Sequence, residues 1–264
     1  MLDVQRISKT FNAGTINEKK AIIDLSLHLN SGEFVTVIGG NGAGKSTLLN
    51  AIAGTWPVDS GRIVIDDVDV TALPDFKRAP HIGRVFQDPM LGTAPDMWLE
   101  ENLALALRRG QSRGLKWGIK KEERELFREK LATLGLGLED RMTTKVGLLS
   151  GGQRQAVTLL MASLKKPKIL LLDEHTAALD PATAAKVLEL SDQIVTENKL
   201  TTLMITHNMK DAIAIGNRLI MMHQGHIILD IAGDEKKNLT VKDLLDKFSA
   251  KAGVEEESDR VLLS

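Results

Sequence analysis

The 264-residue sequence contains no cysteine, and its formal net charge is only −1. Without cysteine the chain can form neither a disulfide framework nor a thiolate metal site, and it has no cysteine nucleophile. A net charge so close to zero gives no general electrostatic reason to expect a nucleic-acid partner. The remaining composition, 43% hydrophobic and 26% charged, is that of an ordinary globular protein with one large domain or two small ones.

Long apolar segments are also missing. The N-terminus lacks the basic stretch and apolar run of a signal peptide, so we expect none. The longest apolar runs, such as residues 169–172, are far shorter than the roughly 18–20 residues that a membrane helix needs. A role at a membrane would therefore require another protein as the anchor.

Hydrophobic periodicity predicts an α/β fold with two kinds of sheet. Strict alternation over residues 23–30 predicts a half-buried antiparallel strand, whereas the run 35–38 predicts a fully buried strand that leads into a glycine-rich loop. Apolar segments at 169–172, 202–205 and 219–222 alternate with helical patterns. This alternation indicates βαβ units and a mostly parallel sheet with helices on its faces.

The middle of the chain, from about residue 88 to 165, has helical spacing instead. The apolar residues with this spacing are Leu99, Leu103, Ala106, Leu107, Phe127, Leu131 and Leu134. Residues 108–121 carry six basic side chains and no acid, and we favour a solvated surface for them over contact with anionic headgroups. Further along, Thr240 and Asp243 have the spacing of a capping box and predict a C-terminal helix.

A glycine-rich motif follows the strand at 35–38 and matches G-x-x-x-x-G-K-[ST]. Its candidate binding residues are Gly39, Asn41, Gly42, Ala43, Gly44, Lys45, Ser46 and Thr47. The glycines let backbone N–H groups approach phosphate oxygens, and the following helix directs its positive end at the same anion. In this chemistry Lys45 reaches the β- and γ-phosphates, and the Ser46 hydroxyl takes a Mg²⁺ position. A chance glycine-rich turn is the alternative interpretation.

Two acids end the apolar run at 169–172. A strand buried on both faces delivers such acids to the carboxyl edge of its sheet, where ligands bind in open α/β folds. Asp173 is a candidate Mg²⁺ ligand, and Glu174 is a candidate general base for the attacking water. Because acids after a strand commonly cap the next helix, the functional interpretation depends on the phosphate motif.

A third motif is the segment from Leu149 to Gln153, which reads Leu-Ser-Gly-Gly-Gln. Ser150 and Gln153 have capping-box spacing, and Gly151 and Gly152 leave backbone N–H groups exposed at a positive helix end. The segment is therefore a candidate second anion site that has no lysine, and a plain capped helix is the alternative.

This third motif resembles the signature of the ABC ATPase family, and it stands between the phosphate motif and the acidic pair, in the family's order. Phe11 resembles the aromatic residue that stacks on adenine, which is usually tyrosine, although this chain has no tyrosine. Gln87 resembles the Q-loop glutamine that contacts Mg²⁺ and the attacking water. Asp180 resembles the aspartate of the D-loop, and His207 the switch histidine near the γ-phosphate. The resemblance extends from residue 2 to about residue 230.

The resemblance implies a P-loop NTPase core with a mostly parallel sheet, an antiparallel β subdomain and an inserted α-helical subdomain. We expect an ATPase domain at 1–233, with the helical subdomain at about 88–165, and a short C-terminal helix with an acidic tail at 234–264. The implied ligands are ATP and Mg²⁺, with Mg²⁺ held by Ser46, Gln87 and Asp173. The residues that take part in catalysis would be Glu174, His207, Gln87 and Lys45.

The family resemblance also implies a head-to-tail homodimer with two nucleotides at its interface. One subunit would bind ATP, and the partner would cover the γ-phosphate with the segment Ser150, Gly151, Gly152 and Gln153. Hydrolysis would remove the charge that attracts the partner's helix end, so the dimer would open. Asp180 also has the position of an N-cap before Pro181, which is compatible with its resemblance to the D-loop aspartate.

The sequence has one phosphate motif, one signature and no fused membrane segment, as expected of a separate bacterial ATPase subunit. Its partners would be integral-membrane permease subunits docked on residues 88–102, and an extracytoplasmic solute-binding protein acting through the permease. The chain would then lie peripherally on the cytoplasmic face of the cell membrane. The segment at 172–181 resembles a bacterial subgroup linked to uptake of tryptophan, tyrosine or similar solutes. Two alternatives remain open, a soluble ABC ATPase of an assembly pathway and the ATPase of an export or lipid-extraction complex.

Overall fold

The computed structural model describes residues 1–111 and 118–252. Its strands are β1 (Leu2–Phe11), β2 (Lys19–Leu29), β3 (Phe34–Ile38), β4 (Ser60–Ile65), β5 (Val68–Asp69), β6 (Ile82–Val85), β7 (Ile169–Asp173), β8 (Thr202–Ile205), β9 (Arg218–His223) and β10 (His226–Ala232). Its helices are α1 (Lys45–Ala53), α2 (Asp75–Arg78), α3 (Leu99–Leu107), α4 (Lys121–Ala132), α5 (Gly151–Leu164), α6 (Pro181–Asn198), α7 (Met209–Ala214), α8 (Gly233–Lys237) and α9 (Val241–Ala252). Short 3₁₀ turns lie at Pro89–Gly92 and Val146–Leu148.

One sheet is antiparallel and has the strand order β2-β1-β4-β5. The alternation at residues 23–30 is confirmed in β2, where Leu25, Leu27 and Leu29 are buried and the intervening side chains are exposed. Because only one face of this sheet is covered, its strands keep the period of two that the sequence displays.

The second sheet has the strand order β10-β9-β3-β8-β7-β6 and is parallel except for β10. All five residues of the central strand β3 are buried. A strand covered on both faces has no solvent side, which explains its continuous apolar run. The expected fold, a mostly parallel sheet together with an antiparallel sheet and packed helices, is confirmed.

Helix α1 lies in the core that joins the two sheets. Its Leu48, Leu49 and Ile52 belong to one buried cluster with Val4 of β1 and Val35 of β3. Burial of side chains of this size contributes roughly 1.5–3 kcal/mol each, so the start of α1 is firmly held relative to both sheets. The loop that precedes α1 is therefore fixed at the carboxyl edge of β3.

Helix α5 packs on the opposite face of the parallel sheet, and α3 and α4, which also follow β6, pack on α5. Phe127 of α4 and Leu159 of α5 share a buried cluster with Leu170 and Leu172 of β7. The spacing that places Leu134 on α4 extends past the end of the helix, since α4 ends at Ala132 and Leu134 is buried in the turn beyond it. The division of the chain at residue 233 remains a prediction.

The basic run at 108–121 is only partly described, because Arg113 and Lys116 lie outside the described residues. Arg108 forms an ion pair with Glu123 at 2.9 Å, so this basic side chain has an internal partner. The acidic tail beyond residue 252 also lies outside the described part of the chain. Within the described residues, no helix has both the length and the apolar character needed to cross a membrane.

Candidate nucleotide-binding site

The phosphate loop connects β3 to α1, and two of its glycines are required by close backbone contacts. Gly39 has a φ of 147°, and a Cβ there would lie 2.2 Å from the carbonyl oxygen of Met222. Gly44 has a φ of 102°, and a Cβ there would lie 2.4 Å from the carbonyl oxygen of Ala21. The loop can therefore follow this path only without side chains at these positions.

Lys45, the first residue of α1, is only 5% exposed. Its Nζ atom donates to the carbonyl oxygens of Gly39, at 2.6 Å, and Gly40, at 3.1 Å. Burial lowers the pKa of Lys45, and the nearby charges of Glu174 and Asp173 oppose this effect. An ammonium group has three N–H donors, so one remains for a phosphate oxygen while the other two hold the loop.

A cavity of about 320 Å³ surrounds the phosphate loop and brings most of the predicted residues together. It is lined by Phe11, Lys19, Ala21, Asn41, Gly42, Ala43, Gly44, Lys45, Ser46, Thr47, Glu174 and His207. Lys19, which faces Phe11 across the β1–β2 pair, belongs to none of the motifs predicted from the sequence. Only the strand register, which is not readable from local sequence, reveals that this lysine reaches the phosphate loop.

Phe11 lies at the end of β1, beside the phosphate loop. Its ring makes an edge-to-face contact with Trp56, with ring centroids 5.0 Å apart. The Nζ atom of Lys9 also lies over the Phe11 ring, 5.7 Å from its centroid. The contact with Trp56 was not foreseen from the sequence, since no spacing rule connects the two residues.

Glu174 and His207 follow β7 and β8, which are neighbours in the parallel sheet. His207 Nε2 lies 2.6 Å from Glu174 Oε1. Glu174 has a φ of 44°, in the left-handed region that is uncommon for a residue with a side chain, and its N–H donates to the carbonyl oxygen of Ile205. Such strained positions cluster at functional sites, and this one directs a carboxylate into the phosphate cavity.

Asp173 ends β7, and its Oδ2 atom lies 3.5 Å from Nη2 of Arg84. Burial raises the pKa of Asp173, and the positive charge of Arg84 opposes this effect. Asp173 also lines a second cavity, of about 730 Å³, together with Gln87. Gln87 is exposed, and neither Gln87 nor Asp173 lines the phosphate cavity. The charge of Asp173 nevertheless acts on Lys45 in the phosphate loop.

The chemistry of these residues fits a magnesium ion. Mg²⁺ is usually bound by one or two carboxylates and hydroxyls, with waters and substrate phosphates in the remaining positions. The Ser46 hydroxyl and the Asp173 carboxylate are donors of this kind beside a phosphate loop. Within residues 1–111 and 118–252, no group of three His, Cys, Asp or Glu side chains forms an all-protein metal cage.

The signature segment lines a different cavity, of about 400 Å³, which includes Ser150, Gly152 and Gln153. The capping box is confirmed, since Gln153 N–H donates to Ser150 Oγ at 3.3 Å and Ser150 N–H to Gln153 Oε1 at 3.2 Å. Asp180 caps α6 by accepting from Thr183 N–H at 3.1 Å. Neither Asp180 nor the signature segment lines the phosphate cavity of its own chain.

His175 follows Glu174 in the sequence but belongs to the core between β7 and α6. It is 2% exposed, and its Nε2 atom lies 2.8 Å from Oγ of Ser191 on α6. Ser191 donates its own proton to the carbonyl oxygen of Val187, so His175 must be the donor to Ser191. Burial lowers the pKa of His175 to about 4, and the ring is therefore neutral at physiological pH.

A phosphate loop between a buried strand and a helix, with acids at the end of a neighbouring parallel strand, defines a P-loop nucleotide hydrolase. The particular family follows from sequence comparison. The chain belongs to the ABC transporter family, whose pattern matches residues 22–177.

Relatives of known role extend this assignment over nearly the whole chain. A tyrosine transport ATP-binding protein from Clostridioides difficile is 48% identical, over 94% of this chain and 98% of its own length. A methionine import ATP-binding protein from Streptococcus pneumoniae is 34% identical over 92% of this chain and 69% of its own length. A spermidine/putrescine import ATP-binding protein from Haemophilus influenzae is 33% identical over 87% of this chain, which spans only 57% of that protein.

Solved structures agree with the family assignment. A dimeric ATP-binding cassette in a post-hydrolysis state, bound to ADP and Pi, superposes with a TM-score of 0.74 at 31% identity, covering 88% of this chain and 98% of the other. The chain is thus an ABC ATPase, which binds ATP and hydrolyses it to power a membrane transporter.

Proposed function

We propose that this chain is the ATPase subunit of a bacterial importer that takes up an aromatic amino acid such as tyrosine. The observation that supports the proposal most strongly is the near full-length similarity, at 48% identity, to a tyrosine transport ATP-binding protein. The other import proteins described above are less similar, and their solutes differ from one another. An assembly-pathway ATPase and an export ATPase therefore have less support.

The proposed hydrolytic roles follow from the geometry around the phosphate loop. Lys45 and the loop N–H groups would hold the β- and γ-phosphates, and Phe11 would stack on the adenine ring. Glu174 would take a proton from the attacking water, while His207, in contact with Glu174, would orient that carboxylate and face the γ-phosphate. Gln87 would approach from the neighbouring cavity, across Asp173.

Magnesium would be held by Ser46 and Asp173, with Gln87 as a further contact. When bound, the ion would neutralise charge that develops on the phosphate oxygens. The raised pKa of Asp173 reflects burial near the loop, so a divalent cation there would meet a partly desolvated carboxylate. In such surroundings a charge contact is stronger than in water.

The signature segment requires a second copy of the chain in this proposal. Ser150, Gly152 and Gln153 line a cavity separate from the phosphate loop, so these residues and Gly151 would complete the site of a partner subunit instead. The dimeric cassette to which this chain is similar supports a homodimer. Asp180, at the N-terminus of α6, would lie near the same interface.

A permease would supply the membrane-spanning part of the importer. The cavity of about 730 Å³ next to Gln87 is bordered by Phe76 and Leu91, which are 69% and 70% exposed. Exposed apolar side chains around a concave surface are typical of a protein-binding site, and this one overlaps the segment 88–102. The chain would lie on the cytoplasmic face of the membrane, with an extracytoplasmic solute-binding protein acting through the permease.

Transport and co-purification test the proposal together. In cells that lack the chromosomal copy, the wild-type gene should restore uptake of labelled tyrosine and Glu174→Gln should not. Methionine and spermidine are the comparison solutes, because related importers are named for them. A polytopic permease should co-purify with the tagged wild-type chain from detergent-solubilised membranes. Co-purification of soluble proteins alone would favour the assembly-pathway ATPase and contradict the importer.

A further inference from the structure

The guanidinium of Arg84 occupies a buried position between the end of α1 and the end of β7. The Arg84 side chain is only 15% exposed. Its Nη2 atom donates to Asn50 Oδ1 at 2.8 Å, and its Nη1 atom donates to Thr55 Oγ1 at 3.1 Å. The same Nη2 atom lies 3.5 Å from Asp173 Oδ2. The guanidinium is thus anchored by two neutral side chains and faces one carboxylate.

We propose that Arg84 is a positioning residue that acts as the counter-ion of Asp173 when magnesium is absent, and that Mg²⁺ must displace this contact to bind. The inference rests on the proposed function, because it takes Asp173 as a magnesium ligand. It goes further because it assigns a role to Arg84, which belongs to none of the sequence motifs described above.

The distances around Arg84 indicate that its contact with Asp173 is weak enough for Mg²⁺ to replace it. A charge-assisted N–H···O hydrogen bond between guanidinium and carboxylate is normally about 2.7–2.9 Å long, so the 3.5 Å contact of Arg84 with Asp173 is loose. The short contact of Arg84 is with Asn50 instead. Asp173 can therefore turn away from Arg84 without releasing the guanidinium from its anchors.

The same network also reaches the other proposed magnesium ligand. Asn50 Nδ2 donates to the carbonyl oxygen of Ser46 at 2.7 Å, while its Oδ1 accepts from Arg84. The Arg84 carbon Cζ lies 4.5 Å from the ring centroid of Phe86, which limits sideways movement of the guanidinium. Arg84 is thereby held in place relative to Ser46, while the Asp173 carboxylate can still move.

The charges at this sheet edge explain why a resident cation is needed. Asp173 and Glu174 are adjacent acids, and Asp173 is partly desolvated. Lys45 is engaged with the carbonyl oxygens of the phosphate loop. Arg84 supplies the positive charge that faces Asp173 before any nucleotide binds. A divalent cation beside Asp173 would be repelled by the guanidinium as long as the guanidinium keeps its place.

The experiment measures how strongly Mg²⁺ tightens nucleotide binding. Isothermal titration calorimetry gives the Kd of a non-hydrolysable ATP analogue, first with EDTA and then with saturating Mg²⁺. The readout is the Kd in EDTA divided by the Kd in Mg²⁺, which measures how much Mg²⁺ tightens binding. In Arg84→Met the ratio should rise roughly five- to tenfold, because the competing charge is gone. Arg84→Gln should behave alike, whereas Arg84→Lys, which keeps the charge, should stay near the wild-type ratio.

Arg218→Met is the matched control. Arg218 has a similar side-chain exposure, 16%, and loses its ion pair with Asp230 in this variant, far along the sequence from the phosphate loop. Its ratio should equal that of the wild type. An unchanged or lower ratio in both neutral Arg84 variants would overturn the inference. Asp173→Asn separates the two proposals, since a wild-type ratio in that variant would remove Asp173 as a magnesium ligand and the role of Arg84 with it.

Discussion

His207 Nε2 and Glu174 Oε1 are 2.6 Å apart, although the two residues are separated by a strand and a helix in the sequence. The contact arises because β7 and β8 are parallel neighbours, so the residues after each strand meet at one edge of the sheet. Glu174 is thereby presented to the phosphate cavity by its own backbone conformation and by a side-chain partner.

Glu174→Gln should abolish ATP turnover while ATP binding is retained. The amide has the same shape as the carboxylate but cannot accept the proton of the attacking water, and a general base typically contributes about 10²–10⁴-fold to the rate. Under the proposed mechanism the variant should also accumulate as an ATP-bound dimer, detectable by size-exclusion chromatography. Glu189→Gln, an exposed change on α6, is the control and should keep normal turnover. Turnover near the wild-type rate in Glu174→Gln would rule out the role of Glu174.

Lys19→Met should weaken ATP binding roughly three- to tenfold at low salt, and the difference should shrink as salt is added. Lys19 lines the phosphate cavity, so its charge would act on the phosphates through solvent that salt can screen. Lys20→Met is the matched control, since its side chain points to the other face of β2. Equal losses of ATP affinity in the two variants, measured by fluorescence titration, would mean that Lys19 acts only through the overall charge of the chain.

His175 should make the ATPase less stable as the pH falls below about 6.5. Burial lowers its pKa from 6.5 to about 4, so the unfolded chain binds a proton in this window and the folded chain does not. This part of the stability is complete above the unfolded pKa and is lost as the pH falls toward the folded pKa. Between pH 7 and pH 5 the loss should be about 2 kcal/mol, measured by urea unfolding.

His175→Gln should remove that pH-dependent part of the free energy of unfolding. Its curve of stability against pH should be flatter than that of the wild type, even if the variant is less stable at neutral pH. His226→Gln, at an exposed position in β10, should retain the wild-type slope. A wild-type slope in His175→Gln would assign the acid sensitivity to other groups.

Gly152→Ala should destabilise the contact between α5 and α6. A Cβ at Gly152 would lie 2.1 Å from Cγ2 of Thr183, and an overpacked contact of this kind costs roughly 1–3 kcal/mol. Thr183→Ser removes that methyl group, after which the next contact, with Cβ of residue 183, is at 3.6 Å. The double variant should therefore recover most of the lost unfolding free energy in denaturant titrations. If the serine gives no recovery, the steric explanation is wrong.

The sequence predicted most of the fold because the pattern of apolar residues in each strand shows whether one face or both faces of that strand are buried. Alternation in β2 and the continuous apolar run in β3 correspond to one covered face and two covered faces, respectively. Helix α4 was predicted to continue to Leu134 because the side chain is apolar and correctly spaced. In the structure Leu134 is buried by the turn after the helix, and spacing alone cannot distinguish these two cases.

The sequence predicted the site residues that belong to sequence motifs. It did not predict the residues that approach the site only because of how the strands pair. Asp173 and Glu174 were expected at the carboxyl edge of the sheet because they end a buried strand, whereas His207 was identified through the family resemblance. Lys19 and Arg84 could not be found in this way. Lys19 reaches the loop through the register of a hairpin, and Arg84 reaches Asp173 from a strand that pairs with β7 from its other side.

The separation of the signature segment from the phosphate loop of its own chain has a genetic consequence. Suppose that each complete site combines the phosphate loop of one copy with the signature segment of the other. A chain with a damaged signature segment then inactivates a site whose phosphate loop belongs to a normal chain. When a mutant gene is expressed beside a normal one, the fractional loss of transport would then exceed the fraction of chains that are mutant. Alleles that alter Gly151 or Gly152 yet still fold would be expected to act dominantly, whereas alleles that unfold the chain would be recessive.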